Sequence, residues 1–193
     1  MKAPFDFIIE PLGGRYNNSI DVDGKSLILN TEVFNHQYVN REARILSLPT
    51  MLKTDLKVGD IVVVHHNIFR RFHDVRGIER NSRSYFKEDK YFVTEDQIFL
   101  YKRSDKWQAL NGYVFVKPIK NIDIFSESKE RPHIGIVKHT DGSQDIGELV
   151  GFLPYNEFEF IIDGERFYRV LSKDITIKYE YQGDEEEYNP SWA

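Results

Sequence analysis

Three stretches of this sequence occur twice, in the same order. FIIEPL at 7–12 returns as VFVKPI at 114–119, LKVGDIVVV at 56–64 as QDIGELVGF at 144–152, and VTEDQIFLY at 93–101 as VLSKDITIK at 170–178. Ordered self-similarity marks a duplicated structural plan. The offset between partners falls from 107 to 88 to 77 residues, so the second copy runs the same plan with shorter connections. Extra length belongs in loops, where it costs little closure entropy. The first copy therefore has a long connection after its opening strand, over 13–32, and an Arg-rich one over 70–89. A boundary at KRSDKW, 102–107, divides the chain into domains 1–104 and 105–193.

The repeated stretches and the runs around them read as strands. REARILSL at 41–48, GDIVVVHH at 59–66, KYFVTEDQIFLYK at 90–102, HIGIVKH at 133–139, FEFIID at 158–163 and ERFYRVL at 165–171 are short and rich in β-branched and aromatic residues. Hydrophobic content of 40% and aromatic content of 14% suit a folded, β-leaning chain. The expected class is all-β, as two small barrels in tandem. Closure is the usual way for so few short strands to lose their edges.

Composition removes several functions. The sequence has no cysteine, which excludes disulfides, a thiol nucleophile and thiolate-held metal, and fits a reducing, cytoplasmic setting. No apolar run is long enough to span a bilayer, and no secretory signal is expected at the start, so a membrane is not an expected partner. A net charge of −5 opposes general nucleic-acid binding. His65, His66 and His73 invite a metal reading, but adjacent residues on a strand face opposite ways, and no metal or other cofactor is expected. Asp60 and Glu148 hold matching turn positions, where a carboxylate caps amides. Neither a phosphate-binding glycine loop nor a nucleophile elbow is present, and the chain reads as lacking catalytic residues.

The order of these segments resembles the GroES-like co-chaperonins, the chaperonin-10 family, twice over nearly the whole chain. A strand like VFVKPI opens, a loop with a central aliphatic tripeptide follows, a strand like REARILSLP returns, and LKVGDIVVV and TEDQIFLY complete the plan. The resemblance implies two GroES-like barrels, a homo-oligomeric ring, and capping of a GroEL-type chaperonin during ATP-dependent protein folding. The implied docking residues are Leu27, Ile28 and Leu29 in the first copy, with Ile124 and Phe125 in the corresponding segment of the second. The paired glycines usual beside the tripeptide are missing, LPTMLKTDLK is too short for the family's roof hairpin, and the Arg-rich insertion is foreign to it. These departures fit a divergent, phage-encoded form. An alternative from another class is a virion structural or adaptor protein built from paired small barrels.

Two charged segments stand apart. RRFHDVRGIERNSRSYFKEDK at 70–90 mixes arginines with Phe72, Tyr85 and Phe86, a composition that serves a subunit contact, the lining of a dome, or single-stranded nucleic acid. QGDEEEYNPSWA at 182–193 reads as a solvated acidic tail.

Overall fold

The computed structural model describes residues 2–17, 19–28, 38–123 and 125–192. It is all-β: strands take 49% of the chain, and among the described residues no helix reaches seven residues. No helix among the described residues is long and apolar enough to cross a membrane. The chain forms two compact units, Met1–Lys106 and Trp107–Ala193.

Unit 1 contains β1 (Phe7–Pro11), β2 (Ser19–Val22), β3 (Lys25–Ile28), β4 (Glu42–Ser47), β5 (Ile61–Val64), β6 (Arg71–His73), β7 (Glu79–Asn81), β8 (Tyr85–Lys87), β9 (Lys90–Val93) and β10 (Ile98–Arg103). A short strand, β11 (Lys106–Ala109), spans the boundary. Unit 2 contains β12 (Tyr113–Lys120), β13 (Glu130–Thr140), β14 (Leu149–Phe152), β15 (Phe158–Ile162), β16 (Glu165–Leu171) and β17 (Ile175–Tyr179).

Within unit 1 the principal sheet runs β10-β5-β4-β1-β9-β8, and in unit 2 it runs β17-β14-β13-β12-β16-β15. Substituting β12 for β1, β13 for β4, β14 for β5, β16 for β9, β15 for β8 and β17 for β10 turns one order into the other. The hydrogen bonds repeat as well. Gly59 N donates to Ile45 O and Ile45 N to Asp60 O; Gly147 N donates to Val137 O and Val137 N to Glu148 O. His65 N donates to Gln97 O as Leu153 N does to Asp174 O. Gly59 and Gly147 carry φ of 93° and 91°, a left-handed conformation that only glycine adopts without strain.

The closed barrels expected from the sequence are not formed among the described residues, where no sheet makes a ring. Closure needs a ladder between the two ends of each order, and those ends take other forms. β8 is three residues long, and β17 exposes four of its five residues to solvent. Short or charged ends protect a sheet without closure.

The cores follow strand parity. On β12, Val114 and Val116 pack with Val137, Val150, Phe152 and Val170, all buried. Phe115 points the opposite way, its ring 5.6 Å from that of Phe160 and 6.4 Å from that of His139. Ile119, Ile136 and Leu149 make a second cluster. In unit 1, Phe7, Ile9, Ala43, Ile45, Val62, Val64, Ile98 and Leu100 are fully buried.

Three sequence expectations are corrected. The run 90–102 is two strands, because Thr94 and Gln97 form a capping box around a 3-10 turn at Glu95–Gln97. The central strand stops at Val64 rather than continuing through the histidines: His65 Nδ1 accepts from Asn67 N and caps a 3-10 turn at His66–Ile68. The imidazoles of His65 and His66 consequently stack, centroids 4.3 Å apart, instead of facing opposite ways.

Third, the acidic C-terminal segment is docked rather than merely solvated. β16 pairs with β12 only over Tyr113–Val116, which leaves the far half of that β12 edge unladdered by β16. Lys120 N donates to Glu186 O (2.7 Å), Tyr188 N donates to Pro118 O (2.8 Å), and Ile119 bridges Glu187. Lys117, only 2% exposed, sends its Nζ to Glu165 Oε2 at 2.9 Å and Asn189 Oδ1 at 3.1 Å. The segment supplies backbone partners and one acceptor for a buried ammonium, both of which burial demands.

Candidate functional site

The connection that follows the opening strand is where both copies hold apolar side chains in water. In unit 1, β2 and β3 form a two-stranded hairpin whose turn, Asp23-Gly24, has φ of 51° and 75°. Two consecutive positive φ values make the tight turn whose twist matches a hairpin, and Asp-Gly is a sequence that supplies it. Leu27 and Ile28 therefore sit on a formed strand, yet are 53% and 63% exposed. All four positions of β3 are exposed. Leu29 lies outside the described residues.

In unit 2 the connection from β12 to β13 is shorter and held by its own polar groups. Asn121 Oδ1 accepts from Asp123 N (3.1 Å), Asp123 Oδ1 from Phe125 N (2.9 Å), and Asn121 Nδ2 donates to Ser128 O (3.2 Å). Phe125 is 91% exposed and Ile122 60%. The local hydrogen bonds turn the chain so that the apolar groups point outward. Ile124 lies outside the described residues. Leu27 and Ile28 are sequence neighbours on one strand, and Phe125 is in the other unit.

The turn carboxylates cap amides in both copies. Asp60 Oδ2 accepts from Lys57 N at 2.8 Å, and Glu148 Oε2 from Asp145 N at 3.3 Å. Each also meets a cation from the last strand of its unit: Arg103 reaches Asp60 through Nε (3.2 Å) and Nη2 (2.5 Å), and Lys178 reaches Glu148 at 2.7 Å. The Lys178 ammonium holds the Glu148 carboxyl below the usual carboxylate range. The two pairs differ in burial, and the difference sets their worth. Asp60 is buried and its arginine fork is two-pronged, whereas Lys178 is mostly in water. Asp60→Ala is expected to cost about 2 kcal/mol by stranding the Lys57 amide and removing both carboxylate contacts of Arg103. Glu148→Ala should shift stability no more than an ordinary surface substitution. Denaturant titration of both variants checks the asymmetry.

Sequence reasoning singled out the aliphatic triplet and the turn acids but missed Lys117 and Asn189. The motif VFVKPI shows a charge inside an apolar strand, which was the available signal. Asn189 gave none, because an asparagine beside a proline reads as a turn.

Among the described residues, no three His, Cys, Asp or Glu side chains are grouped to hold a metal ion. No protein-family model matches the chain. A search of curated proteins finds no match either.

Proposed function

We propose that this protein is a GroES-like co-chaperonin in tandem form, which caps a GroEL-type chaperonin as a homo-oligomeric ring in the cytoplasm and assists ATP-dependent folding. One observation carries the reading. Two copies of one sheet order each place large apolar side chains in solvent at the same topological point, after the opening strand: Leu27 and Ile28 in the first, Ile122 and Phe125 in the second. Fully burying a large aliphatic side chain contributes roughly 1.5–3 kcal/mol, so a pair of them gives weak docking after ordering costs are met. Several identical copies acting together turn weak docking into useful affinity, because later contacts are intramolecular. A ring meets that need.

The test is co-elution of the full chain with a GroEL-type chaperonin in the presence of ADP. Wild type is expected to co-elute. Leu27→Asp with Ile28→Asp is expected to abolish co-elution while leaving the circular dichroism spectrum unchanged, since neither side chain contributes to a core; Phe125→Asp reports separately on the second copy. Failure of the wild type to co-elute, or retention of binding when both sites are changed, defeats the proposal.

A further inference from the structure

Segment 182–192 sits on unit 2 as a peptide sits in a receptor. Ile119 pairs with Glu187 in the antiparallel sense, and backbone bonds on either side join Lys120 N to Glu186 O and Tyr188 N to Pro118 O. This is strand addition to the stretch of β12 edge that β16 leaves open. The connection from β17 to this bridge is exposed over 180–184 and turns at Gly183, where φ is 96°. The Glu185 carboxylate closes that turn, accepting from the amides of Gln182 (2.9 Å), Gly183 (2.9 Å) and Asp184 (3.1 Å).

The groove reads side chains as well as backbone. Three of its cations each hold one carboxylate of the segment: Arg131 holds Asp184 (2.9 Å), Lys120 holds Glu186 (2.5 Å) and Lys138 holds Glu187 (2.5 Å). A fourth position reads an amide. Asn189 Oδ1 accepts from Arg166 N (2.8 Å) and from the Lys117 ammonium (3.1 Å), while Asn189 Nδ2 donates to Gly164 O (3.2 Å). A carboxylate there has no hydrogen for Gly164 O, and an aliphatic side chain meets none of the three groups, so this position selects an amide. Pro190, which follows, is buried. Strength and selectivity are therefore divided along the groove. The two lysine pairs are partly open to water and each contributes little, whereas the amide completes the shell of a buried ammonium.

We propose that this edge of β12 is an acceptor site for an extended acidic segment of another protein, one with adjacent carboxylates and an asparagine two positions further on. Segment 182–192 occupies the site as a displaceable strap. Charge complementarity selects the partner, since the groove presents Lys117, Lys120, Arg131 and Lys138 to whatever lies in it. A nucleic acid could meet those cations but has no main chain to ladder with β12. Tethering gives the strap an effective concentration on the order of millimolar, so a partner of equal fit enters where the strap is weakened. None of the residues assigned to chaperonin docking takes part.

The probe is a fluorescein-labelled peptide of residues 182–193, titrated by anisotropy against the full chain. A second titration uses the full chain carrying Glu186→Lys and Glu187→Lys, which weaken the strap. Binding to the variant is expected to be tighter than to wild type by about tenfold or more. A peptide carrying Asn189→Leu should bind the variant about tenfold more weakly, because three hydrogen bonds are lost. A scrambled peptide of the same composition should not bind. Neither peptide change touches the protein, so misfolding cannot produce these two results. No saturable binding to either chain, equal binding to both, or equal binding by the scrambled peptide overturns the proposal. Light scattering of the wild type covers the remaining occupant: self-association that rises with concentration and is undone by the peptide makes a second copy the partner, and overturns the assignment to another protein.

Discussion

Gly135→Ala is expected to destabilise unit 2 by about 3 kcal/mol, toward the upper end of what overpacking costs. Gly135 lies in β13 opposite Pro118 of β12. A Cβ built there would stand 2.6 Å from Lys117 O, 3.2 Å from Lys117 C and 3.3 Å from Val116 Cβ. The nearest obstacle is backbone in the most extensively paired strand of the unit, so no side-chain rotation relieves it. Moving β12 aside would also disturb the Lys117 contacts to Glu165 and Asn189. Gly142→Ala is the control: φ there is 98°, but nothing lies within 4 Å of the added carbon, so only backbone strain is felt. Hydrogen exchange resolved by peptide checks both. Gly135→Ala should lose protection across β12, β13 and β16, while β1, β4 and β5 keep theirs. Equal loss in the two variants would contradict the steric account.

The second large effect is acid sensitivity through His139. Its imidazole lies 5.2 Å from the ring of Phe167 and 6.4 Å from that of Phe115, and burial pushes its pKa from 6.5 down to about 4, against an opposing pull from Glu165. In the unfolded chain the ring takes up a proton near 6.5. Between the two values the unfolded state holds a proton that the folded state lacks, so acid favours unfolding. The stabilisation is fully present above pH 6.5 and is lost as pH falls toward 4, a change of roughly 3 kcal/mol. His139→Gln cannot titrate. Its denaturation midpoint should therefore vary less across this window than that of the wild type, whatever the offset between them at neutral pH. Parallel pH curves for the two proteins would rule out His139 as the origin. Carboxylates such as Glu148, held below their usual range, add acid sensitivity common to both.

Much of the architecture could be read from sequence because its determinants are local. The apolar runs at 7–12, 41–48 and 59–66 contain β1, β4 and β5, and Gly59 and Gly147 marked turns that require positive φ. Ordered repeats forecast one plan used twice, and the two sheet orders match strand for strand. Closure was not legible, since whether end strands meet depends on distant backbone and not on any residue's preference. HHNIFRRF leads into an exposed hairpin, as its sequence suggests, but the bounds of β6, β7 and β8 were hidden in an Arg-rich segment whose polarity masks alternation; the Arg71–Glu79 ion pair and the Asp74 turn hold the hairpin. Of the candidate docking residues, the exposure of Leu27, Ile28 and Phe125 follows from a polar neighbourhood that gives them no cover. The hairpin beneath Leu27 was also written in the chain, as Asp23-Gly24, but two strands of four residues with little burial fall below what periodicity detects.

The fastening of the C-terminal segment onto β12 has a consequence for folding during synthesis. Asn189 follows Lys117 by 72 residues. At typical elongation rates of about 5–20 residues per second, that gap lasts on the order of 4 to 14 seconds. Through this interval β1, β4, β5 and β9 already have their ladder partners within their own unit. The lysine ammonium, by contrast, still waits for its amide acceptor and stays wet. The ribosome thus imposes a timetable: the first half matures while the second is held open, and the stretch that carries Asn189 acts as the latch that lets β12 go dry.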